Sequence, residues 1–182
     1  LPDFSIESPL INKGFVPIGI DEVGRGAFAG PVGVGGAAFK NYASPHMKEL
    51  LLLGINDSKK LTSKKRTVLA QILKELCYFE VSFIDVATIN KIGIGKATFL
   101  GMQQVARELS KKVKNPFFLV DAFAIPGVRN QKGIIRGDSL SISIAAASII
   151  AKVERDCLME TLALQYPKYG FEIHKGYGTV SH

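Results

Sequence analysis

The sequence predicts an α/β fold, a sheet with helices packed on its faces, and three observations carry that expectation. Two strand-like runs open the chain, at Val16–Val23 and Val32–Phe39, and apolar runs and amphipathic helical patterns then alternate to the end. The 182 residues, 47% hydrophobic and 21% charged, suit one compact domain with a substantial core.

Taken in order, residues 1–15 contain Pro2, Pro9 and Gly14 and read as an irregular lead-in. The first two strands, joined through Gly24-Arg25-Gly26 and Gly30-Pro31, predict a hairpin whose many glycines imply bulges or close backbone approach. Residues 46–53 suggest a short helix stopped at Gly54. Thr62 is an N-cap for a helix carrying Val68, Leu69, Ile72, Leu73 and Leu76 at helical spacing, with Lys64 and Lys65 at its start. Residues 78–86 alternate as a strand, and 95–112 form a second helix through Phe99, Met102, Val105, Ala106 and Leu109. Pro116 leads into 117–121, an apolar run stopped by a carboxylate, which reads as a buried strand with a polar mouth. Ile134-Ile135 makes a further short strand. Residues 141–165 form the longest helix, with Ile142, Ala146, Ile149, Val153 and Cys157 along one stripe. Its Ala145-Ala146-Ala147-Ser148 cluster suits tight packing on something flat, and Pro167 closes it. There is no internal repeat or low-complexity tract.

Lys and Arg number 23 against 16 Asp and Glu, a formal charge of +7, which favours an acidic partner such as nucleic acid but also fits an unspecialised basic surface. Cys77 and Cys157 both fall in helix-like segments and read as small buried hydrophobes, and no disulfide framework or cysteine zinc site is implied. With no membrane-length apolar run and no leader pattern, a soluble cytoplasmic monomer with no membrane association is expected.

Three acidic positions each follow an apolar run: Asp21-Glu22, Asp121 and Asp138. Ligands of open α/β sheets gather beyond strand ends, so carboxylates there can converge though remote in sequence. Clustered acids repel, and divalent cations such as Mg²⁺ or Mn²⁺, which prefer hard oxygen ligands, offset that repulsion. Two such ions about 4 Å apart suit phosphodiester hydrolysis. Any one acid alone reads equally as a turn residue; the three positions together argue otherwise. Beside the first pair, Gly24-Arg25-Gly26 offers backbone amides and a guanidinium to a polyanion. Asn56-Asp57-Ser58-Lys59-Lys60 offers cations to phosphates, or is only a capping turn with solvated lysines. His174-Lys175-Gly176-Tyr177 sets a cation and an aromatic ring in a flexible loop, where Tyr177 could stack on a sugar or base.

Other patterns fail in context. The glycines from Gly33 fit a loose dinucleotide-binding pattern, but Tyr42, Ser44 and Pro45 stand where a phosphate-binding helix should run. Arg136-Gly137-Asp138 spells an adhesion tripeptide without an extracellular context, and His46, His174 and His182 lack zinc-ligand spacing.

Five blocks resemble ribonuclease HII, the bacterial type 2 ribonuclease H family: GIDEVGRGAFAGPV at 19–32, NDSKKLTSKKR at 56–66, LVDA at 119–122, RGDSLSISIAAASIIAKVERD at 136–156 and YPKYGFEIHKGYGT at 166–179. The resemblance implies a ribonuclease H-like fold, a mixed sheet of about five strands flanked by helices, over a single domain at 1–182. Asp21, Glu22, Asp121 and Asp138 then match the family's catalytic metal ligands, with Mg²⁺ or Mn²⁺ in a two-metal mechanism. Gly24, Arg25 and Gly26 match the segment that senses the ribose 2′-hydroxyl, and Tyr177 the tyrosine that stacks on the deoxyribose beyond the junction. Lys59, Arg136 and Ser139 match phosphate contacts. The implied substrates are RNA/DNA hybrid and ribonucleotide-containing duplex DNA, cut to leave a 3′-hydroxyl and a 5′-phosphate. Departures are Ala27-Phe28, where many relatives have Pro-Leu, and Arg136 for a frequent lysine. Relatives also continue past the equivalent of His182 into helical, basic sequence, so this chain is expected to lack that extension. Two alternatives stand: the type 3 ribonuclease H, which usually lacks the Gly-Arg-Gly turn, and a binding module that keeps the cradle without cleaving.

Overall fold

The computed structural model describes residues 1–42, 54–55, 58–180 and 182, apart from the Lys60 side chain. The helix expected at 46–53 lies outside the described residues.

Among the described residues, five strands form one mixed sheet: β1 (Val16–Val23), β2 (Val32–Phe39), β3 (Cys77–Ile84), β4 (Pro116–Asp121) and β5 (Gln131–Ile134), in the order β3-β2-β1-β4-β5. The expected hairpin is present, since β1 and β2 pair antiparallel, and β3 adds antiparallel to β2. On the other side β4 runs parallel to β1, and β5 parallel to β4. Parallel neighbours need crossovers, and helices α2 (Ser63–Leu76), α3 (Val86–Ile92) and α4 (Ile94–Ser110) lie between β2 and β4 in the chain.

Strand alternation divides the core into two layers. Ile18, Ile20, Val34, Phe118 and Val120 pack against Met102, Val105 and Leu109 of α4 on one face. On the other, Ala37 and Phe39 join Leu69 and Leu73 of α2 and the Ala145-Ala146-Ala147 run of α5 (Ile142–Gln165). That small-residue cluster packs as the sequence implied, because glycines meet it on the strand side. A Cβ on Gly19 would lie 2.0 Å from the Ser143 carbonyl carbon, and one on Gly35 would lie 2.7 Å from Ala147 O. Here glycine serves backbone approach, not turn formation.

Several expectations are corrected. The lead-in contains a helical turn, α1 (Ser8–Ile11), and Asp3 bridges to Ser141. Glu7 in this segment is fully buried, and its Oε1 accepts hydrogen bonds from Ser141 Oγ (2.6 Å) and Ser143 N (3.0 Å) at the start of α5. The third strand ends at Ile84 because the Asp85 side chain accepts from Thr88 N at 2.6 Å and N-caps α3, a helix the alternating pattern concealed. The fifth strand occupies Gln131–Ile134, not Ile134-Ile135, and Ile135 is exposed. Cys77 is buried but opens β3 instead of lying in a helix, while Cys157 lies in α5 and is exposed. Thr62 caps α2 as expected, accepting from Lys65 N at 3.3 Å. Among the described residues no helix is long and apolar enough to cross a membrane.

Candidate active site

The parallel register of β1 and β4 builds the site. Gly19 pairs with Leu119 and Ile20 with Val120, so the next step sets Asp21 beside Asp121 at the carboxyl ends of neighbouring strands. Partners in a parallel pair share a face and stand about 4.8 Å apart. Beyond β5 the chain enters a 3-10 turn, Gly137–Ser139, which holds Asp138. Gly137 N donates to Asp121 Oδ1 at 2.6 Å, tying that turn to the end of β4. A side chain on Gly137 would intrude here, because its Cβ would meet Ile144 Cδ1 at 2.5 Å.

Asp21 and Asp138 are buried, only 6% and 8% exposed, and Glu22 and Asp121 are half-buried. Burial pushes the Asp21 carboxyl well above the usual carboxylate range; a Ser148 hydrogen bond works against this, and the charges of Glu22, Asp121 and Asp138 add to it. The Glu22 carboxyl is raised too, by burial first, with the Arg25 charge lowering it and Asp121 raising it. All four acids predicted from sequence are therefore electrostatically one group.

These residues fit a divalent cation. Every donor is a hard carboxylate oxygen, and Glu22 Oε2 is buried with no hydrogen-bond partner. Among the described residues, however, no three acidic, histidine or cysteine side chains already converge as ligands of one ion. Asp21 Oδ1 accepts from Glu22 N at 2.8 Å, and Asp121 Oδ1 is engaged with Gly137 N, so those oxygens are satisfied by backbone.

A cleft of about 520 Å³ opens beside Asp21 and Glu22, walled by the Gly24-Arg25-Gly26 turn, Lys59 and Tyr177. Arg25 extends over the Phe123 ring, 4.7 Å from its centroid, with Nη1 3.8 Å from Glu22 Oε1. Tyr177 joins the turn through an antiparallel bridge to Ala27, so the two segments predicted separately form one wall. Lys59 is exposed and its charge acts on Glu22. Arg136 and Ser139 flank Asp138 but do not line this cleft, and Arg136 is exposed with φ +57°. Lys175 does not serve as the cation beside Tyr177: its Nζ pairs with Glu160 Oε1 (2.6 Å) and donates to Glu172 O (2.7 Å). Asn56 and Asp57 lie outside the described residues.

Sequence reasoning missed Arg66 and three polar residues of α5. Ser148, Lys152 and Arg155 fall at i, i+4 and i+7, along one side of a helix whose 142–151 stretch is otherwise mostly apolar and buried. Ser148 hydrogen-bonds Ser58 at 2.9 Å as well as acting on Asp21, which links the acidic cluster to the Ser58-Lys59 loop. Lys152 pairs with Asp156 at 2.6 Å and stands 5.1 Å from the Tyr177 ring centroid. A polar stripe on a buried helix face was the signal available for them.

Comparison with known proteins bears on the family and the fold. A family model described as ribonuclease HII matches residues 18–182. Ribonuclease HII of Wolbachia sp. subsp. Brugia malayi is 44% identical over 100% of this chain and 84% of its own length. That of Caldicellulosiruptor bescii is 43% identical over 98% of this chain and 84% of its own. Among solved structures, the PCNA:RNase HII complex from Archaeoglobus fulgidus contains a chain that matches with a TM-score of 0.73 and 27% identity, covering 91% of this chain and 83% of that one. On these matches, with the mixed five-stranded sheet beneath them, the chain belongs to the ribonuclease HII family.

Proposed function

We propose that this chain, a type 2 ribonuclease H, uses Asp21, Glu22, Asp121 and Asp138 to hydrolyse the RNA strand of RNA/DNA hybrids and to cut at single ribonucleotides within duplex DNA. The carrying observation is the β1/β4 register that sets Asp21 beside Asp121, with the charges of Glu22 and Asp138 also acting on Asp21 and that of Asp121 on Glu22. Mg²⁺ or Mn²⁺, two ions in the expected mechanism, would be held by these four carboxylates. Bound there, such ions supply Lewis acidity to the scissile phosphate and lower the pKa of the attacking water.

The protein's own groups do the rest. Water adds at phosphorus, the P–O3′ bond breaks, and the products are a 3′-hydroxyl and a 5′-phosphate. The Arg25 guanidinium, one face over Phe123 and Nη1 3.8 Å from Glu22 Oε1, is still exposed enough to offer a phosphate a bidentate contact, which a lysine could not copy. Backbone amides of the Gly24-Arg25-Gly26 turn can approach a 2′-hydroxyl, the group that distinguishes RNA from DNA at one position. Tyr177 offers a ring for the sugar on the next nucleotide, and Lys59 a charge for the backbone. Arg136 and Ser139, in the turn outside the cleft, would contact phosphate only as the duplex extends past Asp138.

The test is a duplex carrying one ribonucleotide, incubated with Mg²⁺ or Mn²⁺. The parent should nick it, and Asp121→Asn should be slower by about 10²-fold or more. Tight binding by the parent without cutting would support the binding module and refute this reading.

A further inference from the structure

The two segments that form the recognition wall, residues 24–31 and 175–177, are far apart in the chain and meet over two buried side chains of α5, apolar Met159 and Arg155, of which only Arg155 bonds to both. Arg155 is 0% exposed, yet no carboxylate pairs with it among the described residues. Its donors fan out to three backbone carbonyls: Nε to Pro31 O (2.9 Å), Nη2 to Ala29 O (3.1 Å) and Nη1 to Lys175 O (2.9 Å). Its guanidinium lies 5.3 Å from the Tyr177 ring centroid. On the opposite side it fills the space that a side chain at residue 24 would need, because a Cβ on Gly24 would lie 2.1 Å from Arg155 Nε. Gly24 also has φ +84°, so glycine is required there for conformation and for space. Backbone bonds complete the junction, with Phe28 N and Ala29 N both donating to Gly176 O, at 2.9 and 3.2 Å.

We propose that Arg155 is a positioning residue for substrate selection: it sets the spacing between the Gly24-Arg25-Gly26 turn and Tyr177, and so the enzyme's preference for a ribonucleotide followed by a deoxyribonucleotide. The inference rests on the function proposed above. A planar, fixed fork touching both segments holds them at one separation, whereas either loop alone, rich in glycine, would drift. A long hybrid presents ribose on both sides of the cut and depends less on a ring placed against deoxyribose. Loss of the spacer should therefore fall chiefly on the junction substrate.

The experiment compares the parent with Arg155→Lys, which keeps the charge but not the fork, and with Arg155→Met, which keeps the packing of the stem without a buried charge and covers the case in which the lysine variant does not fold. In the folded variants, kcat/KM on a single-ribonucleotide duplex should fall by about 10–10²-fold, with a much smaller loss on a long RNA/DNA hybrid. Combined with Tyr177→Ala, Arg155→Lys should add little further loss, because it acts through that ring. Hydrogen exchange of the variants should quicken in 24–31 and 175–178 together while the β1–β2 amides stay protected, a readout independent of cleavage. An equal loss on both substrates, full additivity with Tyr177→Ala, or exchange that quickens in neither segment or in only one overturns the proposal. A parent that cuts no ribonucleotide substrate, with the coupled exchange intact, instead overturns the function it rests on and leaves the spacer role standing.

Discussion

Asp21→Asn should make the metal-free protein more stable while disabling it. The substitution is isosteric and removes one charge from a position that is 6% exposed. A second unit charge one strand away, at about 4.8 Å and an effective dielectric constant of about 20, costs about 3.5 kcal/mol before relaxation. The hydrogen bonds from Glu22 N and Ser148 offset part of that, each worth about 1.5–3 kcal/mol to a charged acceptor, and the amide oxygen keeps the first of them. A net gain of about 0.5–2 kcal/mol remains, which for a chain of this size raises Tm by about 1–8 °C. The pH dependence follows from the raised Asp21 carboxyl: its contribution to stability is fully present below the ordinary carboxyl pKa and is lost as pH rises through the raised value. The advantage of Asp21→Asn should therefore grow with pH across that window and vanish in acid. In thermal scans with chelator, then with Mn²⁺, a cation at about 100 times its Kd adds about 2.7 kcal/mol, or about 5–10 °C, to the parent. The variant should gain much less. A variant less stable than the parent in chelator, or one that Mn²⁺ stabilises equally, would refute the repulsive cluster.

Two further substitutions probe the scaffold. Gly19→Ala forces a methyl to within 2.0 Å of the Ser143 backbone, so β1 and α5 must separate; denaturant unfolding should show a loss of about 1–3 kcal/mol, and activity should fall because Asp21 lies two residues further on. Glu7→Ala leaves the Ser141 hydroxyl and Ser143 N–H without their acceptor at the start of α5, and should lower stability by about 1–3 kcal/mol, a Tm drop of about 2–12 °C by calorimetry.

The acids were legible because each ends an apolar run, and strand ends of an α/β sheet are where ligands collect. Periodicity gave α4 and α5 within two residues at each end, since a long amphipathic or apolar helix carries a strong signal. What stayed hidden was polar structure inside apolar context. Glu7 sits in a stretch with no periodicity, and only its burial against α5 reveals that the lead-in is anchored. Helix α3 carries no expectation from the sequence beyond its first residue, Val86, which continues the alternation of the strand because Asp85 fits that alternation as well as it fits a cap. Strand β5, with exposed Lys132 and Gly133, has no hydrophobic face to announce it and is defined by pairing with β4. Arg155 could not be assigned because its partners are carbonyls, which any residue supplies and no side-chain pattern encodes.

The pairing of Val16 with Pro116 also fixes when the enzyme comes into being. β1 and β2 pair across a short connection, but β3 reaches β2 only across the segment that carries α2, and joining β4 to β1 brings together Val16 and Pro116, contacts of higher order that form more slowly. A chain leaving the ribosome therefore carries Asp21 and Glu22 on β1 without Asp121 and Asp138 beside them until the segment through Asp138 has been synthesised and docked. Assembly of the acidic cluster is thus tied to completion of the sheet.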